Sequence, residues 1–327
     1  MEFTLLQRGS SRAVTRCYHT ALTKIETHVG GILRRIHRLD EARFGLIMLA
    51  PTVLLFVVLI GLPIIYAFVL SIHKIELTVS PGWKFTGLMN YLRVITDRQV
   101  IASAPRTLYF AAIMVSFTTC LALLLALVLN EQFSGQKTVR ALVLMPWAVA
   151  PVVSGVMWKY MFHQKYGLIN AGLVYLGVID NYILWFDDPL IALTIAAFAS
   201  IWKALPFATI IILAALQSVP ESLYRAAKMD GALMWDRFRH VTAPHIRGIM
   251  IFVVILQIIS ALQAFDMIYT LTRGGPGQAT VMLNFLTWVN AFERLSIGMA
   301  ASMAITLAFV IMLLSAVANN FRKKIRD

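Results

Sequence analysis

Charge is scarce in this sequence. Only 14% of its 327 residues are Asp, Glu, Lys or Arg, against 59% that are hydrophobic, whereas soluble domains run near a quarter charged. That balance points away from a soluble domain and toward a polytopic membrane protein. Cysteine is nearly absent. Cys17 sits in the N-terminal arm and Cys120 within an apolar run, so neither has an oxidised partner and no disulfide framework is implied. The seven histidines contain no HExxH, and His240 and His245, five apart, do not share a helix face; no metal site is expected. A phosphate-binding loop is missing too. The nearest approach is "GWKFTGLM", where Leu88 stands in place of the lysine, and "RGGPGQAT" has no lysine at all. Nor does the start read as a cleavable signal peptide, because the first apolar run begins only at Phe44 and is too long for an h-region.

Apolar runs are what the sequence has in abundance. A bilayer core ~30 Å thick needs about 20 mostly apolar residues per helix. Six runs qualify: Phe44–Ile72, Leu108–Asn130, Val139–Phe162, Leu190–Leu216, Gly248–Leu271 and Ile297–Ala318. Pro51, Pro63, Pro146, Pro151 and Pro206 fall inside them, which membranes tolerate where neighbouring groups satisfy the freed carbonyls. The expectation is an all-α membrane protein with six transmembrane helices over residues 44–318. Its orientation follows from Lys and Arg. Eight fall in residues 1–43, two are Lys137 and Arg140, five lie between Arg225 and Arg247, and four are in the tail "FRKKIRD". With the N-terminus inside, those nineteen are cytoplasmic against eight in outer segments, so both termini are expected in the cytoplasm. Topology thereby accounts for the net charge of +13, and no nucleic-acid partner is expected. In the basic arm, residues 1–43, Ala21, Ile25, Val29 and Ile32 recur at helical spacing. An interfacial helix and an unstructured topology-setting tail both fit it. Residues 73–107 and 163–189 are expected as outer loops, turned at "SPGW" and "DDP", and residues 319–327 as a basic cytoplasmic tail.

One cytoplasmic segment, residues 217–247, carries the polar stretch "YRAAKMDGALMWDRFRH" from Tyr224 to His240. Ser218 with Glu221 three residues on, and Pro220 between, predicts a capping box. Gly231 can take the positive φ that ends a helix; a second short helix follows, and Pro244 is expected to stop it. Met234, Trp235 and Phe238, rimmed by Arg237 and Arg239, have the chemistry of a docking surface. Packing beneath the protein's own spans is the other reading of the same aromatics.

"AAKMDGALMWDRFRHVTAP" resembles the EAA loop of the permease subunits of bacterial ATP-binding-cassette importers. "IWKALPFATIIILAALQSVPESLYRAAKMDGA" and "FDMIYTLTRGGPGQAT" resemble the carbohydrate-uptake branch of that family, MalF- or UgpA-like, and the resemblance runs from Phe44 to the tail. It implies the type I importer permease fold and a non-catalytic subunit forming half of an alternating-access pore for a carbohydrate or sugar derivative. The implied partners are a second permease subunit in a heterodimer, two copies of a cytoplasmic ATP-binding subunit, and a periplasmic or extracellular solute-binding protein. ATP and Mg would be held by the ATPase, in keeping with the missing phosphate loop, and the setting would be the bilayer of the bacterial inner membrane. By position, Ala226, Ala227, Asp230, Gly231 and Ala232 match the loop motif, with Trp235, Phe238 and Pro244 downstream. Arg225 stands where the family usually has glutamate, and Arg247-Gly248 where a second proline often falls.

The alternative is an ion-coupled secondary transporter, which wants ionisable groups at mid-membrane. Among Asp and Glu only Asp266 lies within a run, ~27 Å along the fifth at about 1.5 Å per residue and so near its outer end. Lys203, about halfway along the fourth run, could meet substrate or pair with a backbone carbonyl. Aromatic faces and hydroxyl-pairing groups mark a sugar path: Trp202, Lys203, Gln257, Gln263, Asp266, Tyr269, Asn284 and Trp288, together with Trp147, Trp158 and Asn290. Each also fits an ordinary role, as an interfacial aromatic or a bond between helices. Gln257 and Gln263, six apart, are not expected to face one pore. The loop "TRGGPGQAT" is expected outside, either near a docked solute-binding protein or as a plain tight turn.

Overall fold

The structure, a computed structural model, describes residues 41–78 and 80–326. The basic arm with its expected interfacial helix at Ala21, Ile25, Val29 and Ile32 therefore lies outside the described residues, apart from the first residues of α1. The chain divides into two compact units, Met1–Tyr66 and Ala67–Asp327. Helix α1, Glu41–Phe56, passes through a π-helical turn, Val57–Gly61, into α2, Leu62–Ser71. In that turn the N–H of Leu62 reaches back to the carbonyl of Val57. The wider turn comes just before Pro63, which has no N–H to give to an ordinary α-helical bond.

An antiparallel ribbon follows, β1 His73–Glu76 and β2 Ser80–Phe85, with His73 opposite Phe85 and Glu76 opposite Ser80. Among the described residues the fold is all-α apart from this ribbon. "SPGW", expected as a turn, instead opens β2; the turn falls just before it. Next come α3 Met89–Thr96, α4 Arg98–Asn130, α5 Gln136–Ala148, α6 Pro151–Met161, α7 Leu168–Tyr175 and α8 Pro189–Gln217. "DDP" works as a helix start: Asp188 Oδ1 accepts from the N–H groups of Leu190 and Ile191, each at 2.8 Å, and Pro189 occupies the first turn.

Small residues let α4 and α8 approach closely along their lengths. Ala122 and Ala126 of α4 and Ala196, Ala197, Ala199 and Ala208 of α8 are completely buried. Pro206 is also buried, yet α8 runs through it without a break.

Among the described residues, five helical segments are long and apolar enough to cross a membrane: Met48–Ser71, Arg98–Asn130, Pro189–Gln217, Met234–Leu262 and Ile297–Asn320. The third apolar run, expected as one span over Val139–Phe162, is a pair of helices, α5 and α6, bent by 99° at Val149 and Ala150. Pro151 explains the break. It cannot donate to the carbonyl four residues back, and it forces the preceding residue out of helical geometry; Ala150 sits at φ −61°, ψ 142°. Counted as one span, the pair completes the expected six.

The fifth run, expected as Gly248–Leu271, differs at both ends. It begins far upstream, inside the polar segment, and its main helix, α11 Ala243–Leu262, stops at Gln263. The chain turns through Phe265 at φ −133° into a short α12, Asp266–Leu271. Asp266 consequently starts a new helix instead of lying ~27 Å along an unbroken one, as the 1.5 Å rise had suggested. After α13, Leu283–Trp288, and a π-helical turn, Val289–Glu293, the last helix α14 extends over Ile297–Arg326.

Candidate functional site

Two places gather the residues singled out by sequence. The first is the polar segment between α8 and α11. Helix α9, Glu221–Met229, opens at Pro220 without a side-chain cap. The expected capping box does not form, because the Ser218 hydroxyl donates backward to the carbonyl of Ala215 at 2.7 Å. Glu221 still places a carboxylate in the first turn, favourable to the helix dipole.

The end of α9 matches expectation closely. Gly231 has φ +76°; its N–H donates to Lys228 and that of Ala232 to Ala227, at 3.1 and 2.9 Å. These are the paired bonds of a Schellman termination. Helix α10, Met234–Arg237, follows, with Asp236 Oδ2 accepting from the N–H of Leu233 at 3.3 Å. Pro244 was expected to stop it and does not. The chain widens into a π-helical turn, Phe238–Thr242, whose following N–H, on Ala243, reaches Phe238, and continues into α11 with Pro244 in its first turn. Tyr224 and Thr242 join α9 to that turn through their hydroxyls, 2.9 Å apart.

Between the two arms of this hairpin lies an open cleft of about 660 Å³, lined among others by Ala226, Ala227, Asp230, Ala232, His240 and Pro244. Beside it, Met229, Leu233, Met234 and Trp235 are 89%, 74%, 80% and 68% exposed. Trp235 stacks on Phe238, centroids 5.6 Å apart, and Phe238 is half-buried. The aromatics thus do not pack beneath the spans as a pair: Phe238 supports Trp235 from below, and Trp235 faces out. Arg225 is exposed; the only ion pair among the described residues joins Lys74 and Glu76 at 3.1 Å.

The second place is a cavity of about 380 Å³ at the two broken helices. It takes in Lys203, Gln257, Gln263 and Asp266, and also Trp147. Gln257 and Gln263 share it, contrary to the six-residue spacing argument, because α11 ends at Leu262 and the chain after it no longer follows helical periodicity. Lys203 donates to the carbonyl of Val149, at the break between α5 and α6. Lys203 and Asp266 line the same cavity without forming an ion pair within 4.0 Å. Trp147 stacks on Phe207, with centroids 6.0 Å apart and planes 14° from parallel.

The other candidates lie elsewhere. Trp202 packs edge-on against Trp158 at 6.3 Å. Tyr269 and Trp288 belong to an aromatic cluster with Phe265 and Phe285. Asn284 Nδ2 donates to the carbonyl of Gln263 at 2.6 Å, bracing the turn, and Asn290 is buried, bonding back to Leu286 at 2.9 Å.

Sequence reasoning missed Ser200, Phe207 and Ser260, which also line the cavity. Helical spacing could have found them: Ser200 and Phe207 stand three before and four after Lys203, and Ser260 stands three after Gln257.

The loop after α12 is more than a tight turn. Thr280 Oγ1 donates to Gly275 at 2.8 Å, and Arg106 of α4 donates to the carbonyl of Gln278 at 2.9 Å. Gly274 holds φ +85°, and a Cβ there would lie 2.8 Å from Val281.

Residues 118–327 match the family described as "Binding-protein-dependent transport system inner membrane component". The chain is 40% identical, over 84% of its length and 91% of the relative's, to a trehalose/maltose transport system permease protein of Thermococcus litoralis. It is 32% identical, over 85% of its length and 90% of the relative's, to a sulfoquinovosyl glycerol transport system permease protein of Agrobacterium fabrum. Among solved structures, a bacterial ABC transporter that imports the acidic polysaccharide alginate has a chain that superposes with a TM-score of 0.76 at 22% identity. That match covers 90% of this chain and 99% of the other.

Proposed function

Because the chain belongs to the inner membrane components of binding-protein-dependent transport systems, the permeases of sugar ABC importers, we propose that it forms half of a heterodimeric pore. A second permease would supply the other half, two copies of a cytoplasmic ATPase would bind ATP and Mg, and a solute-binding protein would deliver a carbohydrate or sugar derivative from outside. The distribution of Lys and Arg supports cytoplasmic termini and a cytoplasmic place for the hairpin of α9 and α10.

The observation that carries the coupling role is the exposed row Met229, Leu233, Met234 and Trp235 beside a cleft. Four large apolar side chains in water are a liability unless a partner buries them. The hairpin is also stiff enough to transmit force: a Schellman turn closes α9, the Tyr224–Thr242 bond ties its arms together, and the π-helical turn joins it without interruption to α11. Closure of the ATPases would push on the hairpin, move α11, and so rock the broken helices that border the cavity. That cavity is where the substrate would pass, past Lys203, Gln257, Gln263 and Asp266. Tyr269 and Trp288, packed on Phe265, and Asn284, bonded to Gln263, support its walls, while Trp202 packs on Trp158.

The test is uptake in proteoliposomes containing both permeases and the ATPase, with sugar-loaded binding protein on the outer side. Uptake should require internal ATP and survive ionophores that dissipate proton and sodium gradients. Uptake that continues without ATP and stops with the ionophores would establish the ion-coupled alternative instead.

A further inference from the structure

Helix α3, Met89–Thr96, has one committed face and one open face. Asn90 and Val94 are buried. Asn90 Nδ2 donates to the carbonyls of Ser71 and His73, at 2.8 and 2.9 Å, and the hydroxyls of Tyr91 and Ser71 lie 2.6 Å apart. The helix also packs against α14, so closely that a Cβ on Gly298 would lie 3.3 Å from Asn90 Nδ2. At about 100° per residue, Leu88, Leu92 and Ile95 fall on the opposite side, and they are 70%, 52% and 63% exposed. The helix cannot roll to cover this row without breaking the bonds of Asn90.

What covers the row follows from where the helix is held. Near its start it is bonded to Ser71, the last residue of the first membrane-crossing segment. Its end passes through Asp97 directly into α4, and the Asp97 carboxylate accepts from the N–H groups of Gln99 and Val100 at 2.7 and 3.1 Å. Helix α4 has 33 residues, about 50 Å at ~1.5 Å per residue, against about 40–45 Å for a bilayer with its headgroups. Both ends of α3 are thus held at headgroup level. The chemistry agrees. Trp83, exposed on β2, is of a type that collects at that depth. Helix α3 has no Asp or Glu, and Arg93, exposed on the flank of the row, joins no ion pair among the described residues. Three side chains along ~10 Å of helix are too small a patch for a stable protein interface, which takes about 800 Å² from each partner. A helix lying in the plane of the membrane surface needs only such a stripe.

We infer that α3 is a membrane-surface anchor. Leu88, Leu92 and Ile95 enter the boundary between headgroups and acyl chains, and Arg93 meets lipid phosphates. Through Asn90 the helix holds Ser71 and the start of α14 at that depth.

The experiment places benzoylphenylalanine, a photoreactive residue, singly at Leu88, Leu92 or Ile95 of the complete complex, in nanodiscs of phosphatidylethanolamine and phosphatidylglycerol in equal parts. After irradiation the intact mass of the permease should rise by one phospholipid at each position. Phosphatidylglycerol adducts should outnumber phosphatidylethanolamine adducts about fivefold, the bias that one basic residue gives at an anionic surface, and Arg93→Gln should remove that bias. Leu92→Asn combined with Ile95→Asn should cut the lipid adducts at Leu88 about tenfold, since the apolar area that seats the helix is lost.

All three positions are exposed, so none of these substitutions opens the core, and ATP hydrolysis by each complex checks its assembly. Adducts with the second permease subunit, or with the binding protein when it is added, overturn the anchor in favour of a protein partner. A permease left unmodified at both Leu92 and Ile95 places the row in water and overturns it as well. Lipid adducts without the phosphatidylglycerol bias overturn the role given to Arg93.

Discussion

The side chain of Lys203 donates to the carbonyl of Val149, the residue where the third apolar run breaks. Because the helix breaks here, this carbonyl would otherwise stand unpaired in a low-dielectric setting, which is costly. Lys203→Met removes the donor and keeps the length of the side chain. It should lower the stability of the purified complex by about 1–3 kcal/mol, the usual cost of leaving a buried acceptor unsatisfied, read as a lower thermal midpoint. Lys203→Arg can still reach with an N–H and should recover most of the loss. A midpoint unchanged in the methionine variant would mean that the bend is held by α5, α6 and α8 packing alone.

Gly231 ends α9 in the left-handed region, at φ +76°. A Cβ there meets no atom within 4 Å, so Gly231→Ala pays only backbone strain, about 1–2 kcal/mol, and should retain coupling. Gly231→Pro is different in kind. Proline is locked near −65° and has no N–H for the bond to Lys228, so the termination of α9 is lost and α10 is re-aimed. Substrate-stimulated ATP hydrolysis should fall to the unstimulated rate in reconstituted liposomes, with the amount of inserted permease unchanged. Stimulation that persists in the proline variant counts against the hairpin as the coupling element.

Much of this architecture was legible, because hydropathy and glycine report properties that do not depend on tertiary context. The six apolar runs and the role of Gly231 needed only composition and backbone sterics. The breaks did not show. Pro151, Pro206 and Pro244 look alike in sequence, yet the helix stops before Pro151, runs through Pro206 and passes Pro244 after a π-helical turn. Nothing in the residues immediately around them separates the three outcomes. The turn at Gln263–Phe265 carries neither proline nor glycine, so nothing local announced that Gln257 and Gln263 would share a cavity. Ser218 misled for a related reason: a hydroxyl near a helix start can bond backward as easily as forward, and here it finds Ala215.

Trp235 is 68% exposed and rests on Phe238, so the fold loses little when it is removed. Trp235→Ala should change stability by about 0.5 kcal/mol or less, as surface substitutions do. If it anchors the ATPase, the same change should cost about 2 kcal/mol in docking, roughly thirtyfold in Kd. Titrating purified ATPase onto permease in nanodiscs separates the two effects. Equal affinity for wild type and variant would remove Trp235 from the interface.

Arg225 sits exposed on the same hairpin and joins no ion pair among the described residues. Since its charge is free, Arg225→Glu should leave the thermal midpoint where it is and act on association. Raising salt from low to physiological ionic strength should weaken ATPase binding to the wild type if the groove facing Arg225 is acidic. The variant should then lose that sensitivity and bind more slowly at low salt. Identical salt dependence for both proteins would place Arg225 outside the electrostatic contact.

Gly155 tests whether the bent span and the short helix after the cavity act as one piece. Helix α6 packs against α12 at this residue, so closely that a Cβ would lie 1.7 Å from Thr270 Oγ1 and 2.7 Å from Thr270 Cβ. Neither atom can retreat far. Thr270 is β-branched, and its hydroxyl already donates to the carbonyl of Asp266 at 2.7 Å. Gly155→Ala should therefore force α6 and α12 apart, at about 1–3 kcal/mol for an overpacked contact. Thr270→Ala removes the nearer clash but leaves Cβ, so the double variant should recover only part of the stability. Since α12 begins with Asp266, the displacement should also reach the cavity, and sugar uptake should fall more than the thermal midpoint implies. A Gly155→Ala protein with wild-type stability and uptake would show that the two helices slide past each other freely, and that the walls on either side of the cavity move independently.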